Sequence, residues 1–408
     1  MVSFAILNSS TKRNFNIATS SMPLALIRYA DLSVFGAFFA IIKCDRHSSM
    51  LFSRLKPSEY LQRLSVWLII STIALYASYV LLIMGNDSID VGLSNIWRSW
   101  FVFRKEKRPT VELHDFQYNL EKNIFELFKD LNDGKYRHGG YKKFVVSDNK
   151  RREISVASIR DRVVHRLVYD YLAPIYDKTF IYDAWSCRVG KGLLGAIERA
   201  QTFLKNHLRS YVWKGDVKKF FDSVDQKTLL KILSFKIKDE RAYNLLKEII
   251  YSFQSDVIDK AGGGVGIPIG NLTSQIFANV YFNEFDRFVK HILKPKAYLR
   301  YGDDFIMVEP SLQKLNFLRV QAIDFLKNIL KLKINPKSDK IFKARHGLKF
   351  LGVVLWPYGR KLNKRNSARV HEKLELNNAG SYYGVMKYHA GDKKMKEFYW
   401  YIREKLLD

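Results

Sequence analysis

Apolar and polar positions after residue 86 follow mixed helical and strand periods, without a regular alternation of strands and helices. Helical spacing of apolar residues predicts helices over residues 116–131, 161–175, 226–235, 273–293 and 312–330, and a basic helical tail from Ser367. Shorter β-rich runs predict a hairpin over 145–154, a strand over 211–221, a hairpin over 297–308 and a strand over 350–355. This mixture indicates an α+β fold class.

Residues 1–86 have a different pattern of hydrophobic and charged positions. Residues 64–86 contain no charged side chain, and this run is long enough to cross a hydrocarbon core of about 30 Å. Basic residues flank it on both sides, so the positive-inside rule gives no orientation. Three interpretations stay open: a transmembrane helix, a buried helix, or a segment outside the functional product. The third rests on Met84, which would start a chain of 325 residues (408 minus 83) that holds every motif below.

The charge of the chain narrows the classes of partner. Its 408 residues include 68 Lys+Arg against 40 Asp+Glu, a net charge of +28, and the pI is about 9.8. Neutralisation of phosphates explains such an excess, so nucleic acid is the expected partner and an anionic membrane surface is the alternative. A hydrophobic content of 47% excludes a disordered chain.

Cysteine usage points to the compartment. Cys44 and Cys187 are the two cysteines of the chain, and neither lies in a cluster with zinc-ligand spacing. A disulfide framework is therefore excluded, and a reducing, cytoplasmic location is expected, with membrane association if residues 64–86 are translated and inserted. Cys187 is expected to be a small packed residue rather than a nucleophile.

Two acidic segments carry the most specific chemistry. Asp216-Val217-Lys218-Lys219-Phe220-Phe221-Asp222 lies at the end of one predicted strand, and Tyr301-Gly302-Asp303-Asp304 forms the turn of a predicted hairpin. Carboxylates that hold two divalent ions activate an attacking hydroxyl and stabilise a leaving pyrophosphate. A Gly-Asp-Asp turn alone is an ordinary hairpin tip, so it is the combination of the two segments that suggests such a site.

These segments together resemble the catalytic blocks of reverse transcriptases, and the resemblance covers residues 116–365. It implies a right-hand polymerase with fingers over 110–205, palm over 206–357 and a short thumb over 358–408, whereas residues 1–86 form a separate apolar region. It also implies RNA-directed DNA synthesis with two Mg²⁺ ions, or Mn²⁺ as a substitute. The implied partners are an RNA template, a DNA or RNA primer and dNTPs.

The resemblance also assigns site residues. Asp216, Asp303 and Asp304 are the implied catalytic acids, and these three residues with the Val217 carbonyl are the implied metal ligands. The residues implied for nucleotide binding are Lys150, Arg152, Arg160, Phe221, Ile269, Gly270, Gln275 and Lys337. The residues implied for template or primer contact are Arg188, Lys191, Leu351 and Gly352, the last two in a primer-grip hairpin. Phe221, five residues after Asp216, corresponds to an aromatic residue that excludes a ribose 2′-OH.

The segment Gly266-Ile267-Pro268-Ile269-Gly270-Asn271-Leu272-Thr273-Ser274-Gln275 resembles the diversity-generating retroelement branch. Its Asn, Thr and Ser residues suit the N-terminal cap of the following helix. Most relatives carry Gln where this chain has Ile269, and in that branch the change accompanies misincorporation opposite template adenines. The branch implies a template-repeat RNA and a basic accessory protein as partners. A retron-type or phage-defence reverse transcriptase is the alternative enzyme, and a membrane-anchored RNA-binding protein with an inactive polymerase fold is the alternative outside the enzyme class.

Overall fold

The computed structural model describes residues 88–105, 107–147, 151–255 and 264–407. The chain divides into two units, residues 1–83 and 84–408, and the described residues all belong to the second unit. The apolar run 64–86 and Lys150 lie outside the described residues. Within the described ranges, we find no helix whose length and apolar character would let it cross a membrane.

Helices dominate the described residues. The α-helices are α1 (Leu93–Arg104), α2 (Val111–Tyr118), α3 (Leu120–Asn132), α4 (Ile159–Asp177), α5 (Leu193–Asn206), α6 (Phe220–Ser223), α7 (Gln226–Ser234), α8 (Glu240–Tyr251), α9 (Leu272–Arg287), α10 (Leu312–Asn328), α11 (Lys364–Lys373), α12 (Ala379–His389) and α13 (Asp392–Leu407). Side-chain caps fix several starts, because Thr110, Ser158, Asp225 and Ser311 each accept a bond from a backbone N–H in the first turn.

The strands form separate antiparallel sheets. They are β1 (Tyr141–Ser147), β2 (Arg151–Ala157), β3 (Tyr211–Gly215), β4 (Ala297–Tyr301), β5 (Asp304–Glu309), β6 (Lys340–Lys343), β7 (Leu348–Phe350), β8 (Val353–Trp356) and β9 (Gly359–Leu362). A two-stranded hairpin contains β1 and β2, a four-stranded sheet has the order β4-β5-β3-β6, and a three-stranded sheet has the order β7-β8-β9.

The four-stranded sheet is buried on both faces. Trp213, Tyr298 and Phe305 point into the larger core, which also contains the inner sides of α4, α9 and α10. Their neighbours Val212 and Leu299 point into a second core, which contains the three-stranded sheet and the C-terminal helices. Because successive side chains of a strand face opposite ways, β4 and β5 carry almost continuous buried sequences, whereas the edge strand β6 is exposed at both ends.

Most predicted elements are present, with different limits. The hairpin over 145–154 is β1 and β2, the helix over 161–175 is α4, and the basic tail is helical as predicted. The predicted helix over 116–131 divides into α2 and α3 at Asn119. The predicted strand over 211–221 ends at Gly215. The predicted single strand over 350–355 is wrong, because a turn at Leu351 and Gly352, both with positive φ, separates β7 from β8.

Candidate active site

The end of β3 lies directly beside the start of β5. Gly215 pairs with Phe305, and a Cβ atom on Gly215 would lie 2.4 Å from the Phe305 ring. Glycine therefore permits an approach that a larger residue would prevent. The close pairing brings Asp216, which follows β3, next to Asp303, which lies in the β4–β5 turn.

The Asp216 and Asp303 carboxyl groups lie close enough to interact with each other. Burial and the neighbouring carboxylates of Asp216 and Asp304 together raise the pKa of Asp303 to about 7, and burial is the largest cause. Asp216 is fixed from the other side, because its Oδ2 accepts bonds from Asn335 Nδ2 at 3.0 Å and from Ser338 Oγ at 3.2 Å. The structure thus holds two acidic side chains close together, and a bound cation would offset the repulsion between their charges.

Asp304 has a different environment from Asp303. Its Oδ1 lies 3.3 Å from Lys214 Nζ, which also donates a bond to the Lys349 carbonyl at 3.2 Å. The lysine therefore joins Asp304 to the start of the β7–β8 hairpin. This arrangement favours an assisting role for Asp304 over direct ligation of a metal.

The acidic pair fits ions that share their ligands with a substrate. Within the described part of the chain, no three His, Cys, Asp or Glu side chains form a complete metal site. Mg²⁺ commonly binds one or two carboxylates and completes its octahedron with water and substrate phosphates. The Val217 carbonyl is the remaining implied ligand. The backbone bonds on either side of it are made by other groups, because the Asp216 carbonyl accepts a bond from Asn335 N and Lys218 N donates to the Lys333 carbonyl.

A buried ion pair supports the turn that carries Asp303. The side chains of Arg300 and Asp286 are 1% and 0% exposed, and Arg300 Nη2 lies 2.7 Å from Asp286 Oδ2. Arg300 Nη1 also donates to the Gly302 carbonyl at 2.9 Å and to Asn279 Oδ1 at 3.1 Å. The guanidinium therefore fixes the backbone of the β4–β5 turn through the Gly302 carbonyl. Arg300 was not among the residues predicted from the sequence, although a charged residue within an apolar strand is a usable signal.

Phe221 and Ile269 lie on two segments that a backbone hydrogen bond connects. Phe221 is half-buried, its ring centroid lies 5.3 Å from that of Phe220, and its carbonyl accepts a bond from Ile267 N at 2.8 Å. Gly270 has a φ of +117°, and a Cβ atom there would lie 2.7 Å from Ile154 Cγ2. Gly270 is thus required both by its backbone conformation and by its contact with β2.

Two polar residues of the same segment behave differently. Gln275 is exposed in the first turns of α9. Asn271 is the N-cap residue of α9, but its side chain makes no capping bond, so that prediction is wrong for this residue. Its amide instead bonds to the backbone of β2 at Ser155 and Ala157.

The basic residues predicted to contact the nucleotide are dispersed. Arg152 is exposed on β2. Arg160 Nη2 lies 2.6 Å from Asp130 Oδ2, and its guanidinium stacks 4.8 Å from the centre of the Tyr136 ring. The structure therefore gives Arg160 an internal role in the helices around α4, and its contact with a nucleotide stays a prediction.

Arg188 and Lys191 also have internal partners. Arg188 Nε lies 2.6 Å from Asp177 Oδ1, and Nη1 donates to the carbonyls of Ile181 and Ala184. Lys191 Nζ lies 3.4 Å from the centre of the Tyr182 ring. These bonds fasten the segment after α4, and contact with template or primer stays a prediction for both residues. Cys187 is exposed, so the prediction of a packed residue is wrong.

The remaining predicted residues lie in the β7–β8 turn and in the segment after Asn335. Leu351 and Gly352 form the β7–β8 turn, where Asn366 Nδ2 donates to the Gly352 carbonyl at 3.0 Å. Lys337 is exposed two residues after Asn335, and its backbone N–H donates to Asn335 Oδ1 at 3.2 Å. Because Asn335 also bonds to Asp216, Lys337 is carried by a segment attached to the acidic pair.

Comparisons with known proteins agree with this arrangement. The profile of the family described as "Reverse transcriptase (RNA-dependent DNA polymerase)" matches residues 141–355, which contain β1, β2 and the four-stranded sheet with both acidic segments. The chain belongs to the reverse transcriptase family. The predicted enzyme class is thereby confirmed at the level of the family.

Individual relatives cover part of the chain. It is 26% identical to protein YkfC of Escherichia coli K12 in an alignment of 241 positions, which covers 50% of this chain and 63% of that protein. It is 22% identical to the group II intron-encoded protein LtrA of Lactococcus lactis subsp. cremoris in an alignment of 299 positions, which covers 57% of this chain and 49% of that protein. The chain therefore spans less than two thirds of each of these relatives.

Solved structures give weaker similarity. The telomerase of Candida albicans, in complex with the TWJ fragment of telomeric RNA, aligns with a TM-score of 0.43 and 13% identity. That alignment covers 62% of this chain and 51% of the telomerase chain.

Proposed function

We propose that this protein is an RNA-directed DNA polymerase that extends a primer by attack of its 3′-OH on the α-phosphate of a dNTP. The observation that carries the proposal is the close approach of Asp216 to Asp303 at one end of the four-stranded sheet, in a chain of the reverse transcriptase family. In this proposal residues 110–205 are the fingers, residues 206–357 the palm and residues 358–408 the thumb.

The proposed cofactor is a pair of Mg²⁺ ions, for which Mn²⁺ can substitute. Asp216, Asp303 and the Val217 carbonyl would hold them, and Asp304 would assist while paired with Lys214. When bound, such ions lower the pKa of an attacking hydroxyl and stabilise a leaving pyrophosphate. Asn335 and Ser338 keep Asp216 oriented toward the site through the bonds to its Oδ2.

The protein's own residues would select and orient the nucleotide. The Phe221 ring would exclude a 2′-OH by steric overlap, which favours dNTPs. Ile269 and Gly270 would line the same pocket with Gln275 nearby. Lys337 would approach the phosphates from the segment that also carries Asn335. Arg152 of β2 would contribute charge from the fingers side.

The proposal is tested by primer extension on an RNA template with dNTPs and Mg²⁺. Asp216→Asn keeps the size of the side chain but removes its charge, so we expect extension to fall by at least about 100-fold. Asp324→Asn is the matched control, because Asp324 is exposed on α10. Normal extension by Asp216→Asn would overturn the proposed site. Absence of product from the wild-type protein would leave the RNA-binding protein with an inactive polymerase fold.

We further propose that the enzyme belongs to the diversity-generating branch and copies a template-repeat RNA with errors opposite adenines, together with a basic accessory protein. Ile269 supports this proposal because its apolar side chain supplies no hydrogen bond where Gln would. Sequencing the cDNA of the wild type and Ile269→Gln tests it. We expect adenine-directed errors in the wild type and fewer in the variant. Equal, low error rates in both proteins would contradict the branch.

A second candidate is a reverse transcriptase of the group II intron type or of the retron type. The similarity to LtrA, whose name describes it as group II intron-encoded, favours this candidate. Faithful cDNA from the wild-type protein in the sequencing experiment would support it over the diversity-generating branch.

A further inference from the structure

The segment of residues 264–271 joins two parts of the proposed nucleotide site, and we call it the strap. At its first end the strap is bound to the palm. Gly266 N donates to the Val224 carbonyl at 2.8 Å, and Ile267 N donates to the Phe221 carbonyl at 2.8 Å. Gln226 Nε2 adds a bond to the Gly266 carbonyl at 2.9 Å.

At its second end the strap is bound to the edge of β2. Ser155 N donates to the Ile269 carbonyl at 2.9 Å. Asn271 Nδ2 donates to the Ser155 carbonyl at 2.7 Å, and Asn271 Oδ1 accepts a bond from Ala157 N at 3.1 Å. The Asn271 side chain thus bonds to one carbonyl and to the N–H two residues later, as the peptide groups of a neighbouring parallel strand would.

The β1–β2 hairpin has few other fixed points. β1 is exposed along nearly its whole length, and the outer half of β2 is exposed as well. Only the inner end of β2, at Ser155 and Ala157, is buried. An isolated two-stranded hairpin is marginally stable in water, so its position depends on this inner end, where Tyr141 Oη of β1 also lies 2.8 Å from Ser252 Oγ. Asn271 is 4% exposed and bonds at both buried positions.

We propose that Asn271 is a positioning residue for the incoming nucleotide. By extending the edge of β2, its amide holds the fingers hairpin, and with it Arg152, at a set distance from Phe221 and Ile269. The inference rests on the proposed function, since it assigns Asn271 to the nucleotide site of that polymerase. An ordinary capping role is excluded by the absence of a side-chain capping bond at the start of α9.

The first test compares Asn271→Ala with the wild type in steady-state primer extension. We expect the KM for dNTP to rise about tenfold, the size of one or two buried hydrogen bonds, with a smaller change in kcat and unchanged affinity for template–primer. Asn123→Ala is the matched control, because it removes a bond from Asn123 Nδ2 to the Phe116 carbonyl elsewhere in the fingers. An unchanged KM for dNTP, or equal effects of both variants, would overturn the proposal.

A double variant tests whether Asn271 acts through the hairpin. If it does, adding Asn271→Ala to Arg152→Ala will raise the KM for dNTP by less than the product of the single effects. If the rise in KM of the double variant equals the product of the two single effects, the inference that Asn271 acts through the hairpin is overturned.

Hydrogen exchange of the substrate-free protein provides a readout independent of activity. We expect the Ser155 and Ala157 amides to exchange faster in Asn271→Ala, while amides of α9 keep their protection. Unchanged exchange at these two amides would overturn the inference that Asn271 holds the edge of β2. If the wild type is inactive but Asn271→Ala still exchanges faster at these amides, the proposed polymerase function is rejected, and with it the role of Asn271 toward the nucleotide. The structural role of Asn271 at the edge of β2 is then still supported.

Discussion

Asp303 is the residue at which the proposed function and stability conflict. Its carboxyl is buried beside Asp216 and Asp304, and its raised pKa means that the ionised form destabilises the fold. The unfolded chain ionises at the ordinary pKa, so this cost appears as the pH rises above about 4 and is complete above about 7.

We therefore expect Asp303→Asn to stabilise the metal-free protein while it abolishes extension. At pH 8 in the presence of a chelator, its free energy of unfolding in urea should exceed that of the wild type by more than about 1 kcal/mol. Asp324→Asn should show no such gain. A less stable Asp303→Asn would contradict the unfavourable contact of the two carboxylates.

His165 makes stability depend on pH in the opposite direction. Its side chain is 1% exposed, its Nε2 lies 3.0 Å from His138 Nε2, and its Nδ1 has no partner among the described residues. Burial, the largest cause, and the neighbouring His138 ring together lower the pKa of His165 to about 3. The neutral ring thus stabilises the fold fully above the unfolded pKa of about 6.5, and this stabilisation is lost as the pH falls toward 3.

Urea unfolding at two pH values tests this group. Between pH 7.5 and pH 5.5 we expect His165 to contribute a loss of about 1.4 kcal/mol in the free energy of unfolding. In His165→Leu that part of the difference should disappear, whereas other histidines still titrate. An equal difference in both proteins would show that His165 does not supply it.

At the scale of elements, the pairing of β3 with β5 decides where the acidic residues meet. Gly215→Ala would place its Cβ atom against the fully buried Phe305 ring, so we expect a destabilisation of about 1–3 kcal/mol and a loss of extension. Shortening the opposing side chain in Gly215→Ala/Phe305→Leu should recover part of the activity. If the single variant extends primers normally, the contact is not the reason for glycine.

The sequence predicted those elements whose signals are local. The turn at Gly302 and the hairpin of β1 and β2 follow from nearby residues, as do the two acidic segments. Features that depend on distant partners were missed. Arg300 is explained by Asp286, 14 residues away, and Asn271 by β2, more than 100 residues away. Local sequence favoured a cap at Asn271, but two buried backbone groups of β2 bind its amide instead.

At the scale of the whole molecule, the net charge of +28 predicts a strong dependence of nucleic-acid binding on salt. A protein that contacts about 6–10 phosphates loses about 10³–10⁵-fold in affinity between about 50 and 200 mM salt. We expect template–primer binding, measured by fluorescence anisotropy across this range, to fall with that steepness. A nearly flat dependence would mean that the positive charge does not face the nucleic acid.

The buried pair of Arg300 and Asp286 responds differently to ionic strength. Mobile ions screen exposed charges over a Debye length of about 8–10 Å, but they do not enter the space between two groups that water does not reach. Salt that weakens nucleic-acid binding therefore leaves the ion pair that supports the Asp303 turn unchanged. High salt should consequently slow the formation of productive complexes while complexes already formed turn over at an unchanged rate.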